Sequence, residues 1–483
     1  MLGGKNNGAT QVQPTAPVPA HAIRFTTPVV ETPAVFILGR WLWHLLAFVA
    51  CLPVRFPVAV TGAALLAGSW WALDWVGPAV VCTLATITGL AWRHWHPATF
   101  RRWVTLRALA LVREIWVYRR HWQPVLVVSG LAESYLERQY LPHIKRVTCT
   151  EWADRVRVKL VAGTAPAAFE ERTPHLAHGF GAPACRVETA GPLEIVLEFP
   201  RHDMLADPLD ALPAPATADG VDLAALPMGL CEDGRAWRMR LHGTHVLVAG
   251  VTGSGKGSVI WSAVRAMLPA IRAGLVRVWA VDPKRMELSY GRSLFHRYAD
   301  DGESVVALLE DAVAEMQERA ERYAGRVRAH TPSVDDPFDV VVLDEVAFLT
   351  AYHPDRDIRR RAESAMATLT SQGRSVGFAV LAALQDPRKE VMNLRNLFPD
   401  KIALRLDEAS QVDMVLGSDA RDRGADAHLI DPDAPGTAFV RVEGSKVPTR
   451  VRAAYVSDAD IDHMTAGDGS GAPGAPGAGE GGA

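Results

Sequence analysis

Cysteine is scarce in this chain of 483 residues, and what there is forms no pattern. Cys51, Cys82, Cys149, Cys185 and Cys231 are dispersed, an odd set without metal-ligand spacing. That argues against a zinc framework and a disulfide-stapled secreted domain, and it points to a reducing compartment. The first 34 residues lack the basic region and apolar core of a cleavable signal peptide. A formal net charge of −3 gives no global excess of positive charge that would mark a nucleic-acid binder. No internal repeat is evident.

What is present is uneven. Residues 1–34, rich in Gly, Pro, Ala and Thr, are expected to be disordered. Residues 35–96 read as a membrane region with two spans, near 56–73 and 75–92, each close to the roughly 20 apolar residues a bilayer core requires. Asp74 separates them, and because an aspartate at mid-bilayer costs about 2.5–3.5 kcal/mol it belongs in the turn. Trp70, Trp71 and Trp75 flank that turn, and Trp92 and Trp95 mark the far end, like interfacial belts. Trp41–Val54 is shorter and reads as an interfacial helix. Two spans leave Arg40, Arg55 and the arginines between Arg93 and Arg120 on the cytoplasmic side. The alternative is a buried helical hairpin of a soluble protein.

Residues 97–122 form a basic juxtamembrane helix in which Trp103, Leu106, Leu109, Leu111, Ile115 and Trp116 interleave with arginines. It suits an anionic leaflet, with a solvated linker or a DNA-binding helix as alternatives. Residues 123–202, with period-two runs at Arg155–Leu160 and Leu193–Phe199 and a helical stretch at Ala165–His178, read as a small α+β adaptor domain. A Pro/Ala/Asp-rich linker, 203–227, leads to a hairpin at Met228–Leu241. Residues 228–453 repeat a β-α-β pattern and read as an α/β domain on a parallel sheet, with strands at His245–Ala249, Val276–Val281, Val340–Leu343, Phe378–Leu384 and Ile402–Leu406. Residues 454–483 read as a flexible tail rich in Gly and Ala.

Within that domain an apolar strand runs into Gly250, Val251, Thr252, Gly253, Ser254, Gly255, Lys256, Gly257 and Ser258, and then a helix opens. This is the layout of a phosphate cradle: glycines let backbone N–H groups converge on phosphate oxygens, the helix end adds positive potential, and Lys256 adds a point charge. The pattern departs in one place. Gly257 stands where Ser or Thr would give Mg²⁺ a hydroxyl; Ser258, one residue late, is expected to ligate the metal in its stead, or the metal relies on Asp344 and water. A second strand ends in Asp344-Glu345, so that Asp344 could hold Mg²⁺ and Glu345 could polarise an attacking water. Gln385, ending a third strand, could sense the γ-phosphate. Arg374, Arg395 and Arg405 are candidates for an arginine reaching a neighbouring subunit's nucleotide. The charged stretch Glu303–His330 reads as a solvated helix packed on the sheet.

These motifs resemble the FtsK/SpoIIIE family of hexameric double-stranded DNA translocases. Besides the glycine loop, Asp282-Pro283-Lys284 with Glu287-Leu288, Glu315-Met316 with Arg322-Tyr323, Leu343-Asp344-Glu345, Gly373-Arg374 through Ala382-Ala383-Leu384-Gln385, and Lys401–Arg405 occur in the family's order across roughly residues 226–442. The resemblance implies a RecA-like P-loop ATPase, with ATP and Mg²⁺, acting as a homo-hexameric ring on duplex DNA with its motor cytoplasmic on a multi-pass membrane protein. No winged-helix module is recognisable after Asp462, and the layout looks most like the transfer (Tra) proteins of actinobacterial conjugative elements, with partners in the transfer or division envelope. Rival readings are chromosome segregation at division, a type VII protein-secretion ATPase, and a nucleotide-binding scaffold without hydrolysis.

Overall fold

The computed structural model describes residues 57–135, 138–387, 395–445 and 447–466, in two units that divide after Phe100. The expectations for residues 1–34, for Trp41–Val54 and for the last part of the tail fall outside the described residues.

In the first unit, helices Pro57–Leu73 and Val76–Trp95 are joined at Asp74-Trp75, with Asp74 in the left-handed region at φ 52°. The acid thus occupies the turn. By length and composition Val76–Trp95 is the one described helix able to cross a membrane. Pro57–Leu73 is shorter, at 17 residues. Within the longer helix Thr83 and Thr86 donate to the carbonyls of Ala79 and Cys82, each at 2.8 Å, so these hydroxyls need no water.

The second unit opens on a helical run, Arg101 to Val128, with π-turns at Arg101–Thr105 and Glu114–Arg119. A π-turn changes the phase of a helix face. After the second one, Trp122 and Leu126 follow Tyr118 at intervals of four and enter the adaptor core. The domain boundary expected at residue 122 therefore falls inside this helix, which belongs in part to the adaptor. Its outward face keeps Trp103, Leu111, Ile115 and Trp116 exposed among Arg101, Arg102, Arg107 and Arg119.

The adaptor has a small hairpin, β1 (Glu133–Tyr135) and β2 (Arg138–Tyr140), and an antiparallel sheet of β3 (His143–Cys149), β4 (Ala153–Lys159), β5 (Arg186–Gly191) and β6 (Glu194–Pro200), in the order β3-β4-β6-β5. Period-two alternation buries Val156 and Val158 from β4 against Ile195, Leu197 and Phe199 from β6. Asp154 is fully buried in this core. It is ion-paired with Arg113, accepts from Tyr118 Oη at 2.9 Å and accepts from Arg201 Nε at 2.9 Å. Burial pushes its pKa up, but hydrogen bonds from Cys149, Arg113, Tyr118 and Arg201 prevail and hold it below the ordinary value. A carboxyl with a depressed native pKa contributes stability above its unfolded pKa and loses it as pH falls through the native one. Asp154→Asn leaves two half-buried arginines short of their counter-ion and is expected to cost about 3–5 kcal/mol, read as a lowered melting temperature at neutral pH.

The larger domain is built on one sheet of ten strands: β7 (Leu226–Cys231), β8 (Ala236–Met239), β9 (Val246–Ala249), β10 (Val276–Val281), β11 (Arg297–Ala299), β12 (Phe338–Leu343), β13 (Phe378–Leu384), β14 (Asp400–Ala403), β15 (Thr437–Arg441) and β16 (Thr449–Ala453). Their order is β11-β10-β12-β13-β9-β14-β15-β16-β7-β8. The first six are parallel, and the last four extend the sheet in antiparallel fashion. The five strands expected from the sequence all fall in the parallel part. Strands β12 and β13 are buried along their whole length, as a central position between two helical layers requires.

Helix Lys256–Arg272 covers one face, while Gly302–Tyr323 and Arg356–Gln372 cover the other. Gly302–Tyr323 is capped by Asp301, whose Oδ1 accepts from Ser304 N at 3.1 Å, and it stops short of the expected His330 because Ala324 leaves helical geometry and Gly325 takes φ 72°. Nor is it wholly solvated. Arg319 is buried and donates to Asp339 Oδ2 at 2.7 Å, beside the indole N–H of Trp279.

Both flanks of this domain differ from expectation. The segment read as a free linker is tied down where Arg452 Nη1 donates to the carbonyls of Leu205 and Ala206, each at 2.8 Å. The tail expected from 454 contains helix Asp458–Ala466, whose Ile461 and Met464 are buried in the domain core.

Candidate nucleotide-binding site

Parallel pairing of β10, β12, β13, β9 and β14 brings their carboxyl ends to one edge, and each ends in a polar group. β9 leads into the glycine loop, β10 into Asp282, β12 into Asp344-Glu345, β13 into Gln385, and β14 into Arg405 by way of Leu404. This is the edge at which open α/β sheets bind ligands.

The loop bends through Gly253 (φ 74°) and Gly255 (φ 97°), a conformation costly for residues with a Cβ. Gly255 also lies so close to Gly436 that a Cβ there would meet the Gly436 nitrogen at 2.4 Å. The helix then starts at Lys256, and its first N–H groups, including those of Gly257 and Ser258, have no acceptor within the helix. Lys256 is buried, with Nζ donating to the carbonyls of Gly250 at 2.7 Å and Val251 at 3.1 Å. Burial lowers its pKa, and the nearby Glu345 and Asp344 oppose that shift.

Asp344 and Glu345 are both buried. Glu345 is ion-paired to Lys284 Nζ at 3.3 Å and accepts from the backbone N–H of Ala347 at 3.3 Å. The pKa of Asp344 is pushed up to about 7, first by burial and then by Asp282, Glu287 and Glu345. Four carboxylates thus share this edge with Lys256 and Lys284, and the site is short of positive charge. Such a donor set fits a divalent cation. Among the described residues no three acidic, histidine or cysteine side chains form a closed cage, so the cation's remaining oxygens would come from nucleotide and water, as is usual for magnesium.

Gln385 reaches the loop, its Oε1 accepting from Thr252 Oγ1 at 3.4 Å. Among the arginines, Arg405 lies at its own loop, with Nη2 donating to the Thr252 carbonyl at 3.4 Å. Arg374 lies at the opposite sheet edge, bonded to the Gly243 carbonyl and to Glu443. The side chain of Arg395 is outside the described residues. The structure therefore gathers Lys256, Asp344, Glu345, Gln385 and Arg405 around the loop and leaves Arg374 apart. It adds Asp282, Lys284 and Glu287. All three sit in the Asp282–Leu288 run that the sequence shows, but their places facing the loop arise only from the pairing of β10 with β12.

A glycine loop running into a helix, with two buried acids ending the strand two places away in the sheet, defines a P-loop nucleotide-binding domain. Residues 222–416 match the FtsK/SpoIIIE family, and the chain carries a P-loop ATPase domain of that family. It is 27% identical to the DNA translocase FtsK of Oceanobacillus iheyensis over 241 residues, 46% of this chain and 29% of that one. It is 30% identical to the DNA translocase SftA of Bacillus subtilis over 236 residues, 46% of this chain and 23% of that one. The chain thus spans less than a third of the length of these curated relatives. Among solved structures it is similar to the pCW3 conjugation coupling protein TcpA in its monomer form with ATPγS (16% identity, TM-score 0.46, 71% of this chain and 98% of that one). It is also similar to the cytoplasmic domain of the Thermomonospora curvata type VII secretion ATPase EccC (22% identity, TM-score 0.40, 50% and 31%).

Proposed function

We propose that this protein is a membrane-anchored, ATP-driven translocase of double-stranded DNA that moves DNA in conjugative transfer of a mobile element. The observation that carries the motor reading is the convergence of Lys256, Asp344, Glu345 and Gln385 on one sheet edge around a glycine loop with left-handed turns at Gly253 and Gly255. Lys256 and the loop N–H groups bind the phosphates, Glu345 orients and polarises water, and Gln385 links the loop to the next strand. Asp344 would hold Mg²⁺, which when bound neutralises phosphate charge during transfer. Support for duplex DNA comes from the family match and from relatives that are themselves DNA translocases. The transfer role rests on the Tra-like resemblance of the sequence. A homo-hexameric ring, with an arginine from one subunit completing its neighbour's site and with envelope partners, belongs to the same proposal.

For the membrane, support comes from Val76–Trp95 and from the exposed Trp103, Leu111, Ile115 and Trp116 face among arginines, which suits an anionic leaflet. Pro57–Leu73 is proposed as the second pass.

The test is phosphate release by the detergent-solubilised full chain with and without linear duplex DNA. Duplex DNA is expected to raise the rate, and that stimulation should fade between 50 and 200 mM salt, a range over which phosphate-tracking contacts lose about 10³–10⁵ in affinity when six to ten are made. A rate indifferent to duplex DNA would overturn the DNA reading.

A further inference from the structure

Position 257 lacks the hydroxyl that a phosphate-loop helix ordinarily offers to the nucleotide's metal, and the structure shows what fills the space instead. A Cβ built on Gly257 would meet Glu287 Oε1 at 2.0 Å, Cδ at 2.7 Å and Oε2 at 3.0 Å. The carboxylate therefore occupies the volume a serine side chain at 257 would take. It is held there by local structure: Asp282 Oδ2 accepts from the backbone N–H groups of Glu287 at 3.2 Å and Leu288 at 2.9 Å. The other oxygen of Asp282, Oδ1, is fully buried and has no hydrogen-bond partner. Asp282 and Glu287 are also the two charges that bear most on Asp344.

Ser258 is the other source of an oxygen donor. Successive helix residues are turned by about 100°, so a side chain at 258 leaves the helix in a different direction from one at 257.

Building on the nucleotide-site reading above, we propose that Glu287 replaces the missing residue-257 hydroxyl as this protein's oxygen donor to the nucleotide-bound divalent cation, with Asp282 as the residue that positions it. Gly257 is then a requirement of the arrangement, since any side chain there displaces the carboxylate. A carboxylate is a stronger donor to a hard cation than a neutral hydroxyl, and it brings charge to a site that must hold the metal beside Asp344.

The experiment is a titration of Mn²⁺ into the full chain saturated with a non-hydrolysable ATP analogue, with bound metal read by electron paramagnetic resonance and metal-free analogue binding measured in chelator. Glu287→Gln keeps the shape of the side chain and removes the charge. It is expected to weaken Mn²⁺ binding by at least about 10–100-fold, the loss that follows removal of even an outer partner of a metal ligand, while analogue binding in chelator is retained or tightened, one carboxylate facing the phosphates being neutralised, and the melting temperature stays at the wild-type value. Gly257→Ser combined with Glu287→Ala opens the space and restores a hydroxyl, and is expected to regain part of the affinity lost in Glu287→Ala alone. Wild-type Mn²⁺ affinity in Glu287→Gln, a loss found in Ser258→Ala instead, or no recovery in the double variant would each overturn the proposal. A wild-type chain that binds no analogue would overturn the nucleotide-site reading and this inference with it. Normal analogue binding with an unaffected Glu287→Gln variant overturns this inference alone.

Discussion

Lys256→Ala is expected to reduce ATP turnover by at least about 10²–10³-fold, the usual consequence of removing a preorganised charge from a developing transition state. Lys256 is the buried cation of a site where Asp344, Glu345, Asp282 and Glu287 supply negative charge. Without it, a nucleotide bringing further negative charge meets four carboxylates and one remaining ammonium, that of Lys284. The fold should survive, because the side chain contributes two hydrogen bonds to loop carbonyls and little packing. Steady-state phosphate release and a melting curve on the same preparation check both halves. Under the proposed transfer role the variant should abolish conjugative DNA transfer in cells and leave division unaffected; a division defect would shift the proposal to chromosome segregation. Normal turnover would sink the assignment of the loop.

Glu345→Gln has the opposite signature: binding without turnover. Its carboxylate is fixed by Lys284 Nζ and by the Ala347 N–H, each at 3.3 Å, and in the proposed mechanism it is the group that takes a proton from water. Loss of a general base lowers the rate by about 10²–10⁴-fold. Nucleotide affinity should be retained or increased, because one of the charges crowding Asp344 is gone. Fluorescent-nucleotide titration beside phosphate release separates the two effects. A variant that fails to bind nucleotide would show that Glu345 is structural.

Particular residues show how far the sequence could be read. The strands of the parallel half were legible because each is a short apolar run closed by a polar or glycine signal, and β12, with Val340, Val341, Val342 and Leu343 before two acids, is the plainest. The acid pair and the loop were legible for the same reason: both lie within a few residues of a strand end, where chain order fixes position. The linker, the tail and the basic helix were less so. Ile461 and Met464 bury a two-residue stripe that composition alone cannot separate from the Gly-rich sequence beyond it. In the basic helix two π-turns shift the phase, and a regular 3.6-residue count therefore misplaces Tyr118, Trp122 and Leu126. The charged stretch Glu303–His330 reads as a solvated helix, and only the placement of Asp339 on a neighbouring strand reveals that one of its arginines, Arg319, is buried.

The contact between Gly257 and Glu287 also bears on how this domain can change over generations. Serine at 257 collides with Glu287 while the carboxylate is in place, and loss of the carboxylate first leaves neither donor. On the proposal made above, the two positions are therefore coupled, and a change at one is expected to be accompanied by a change at the other.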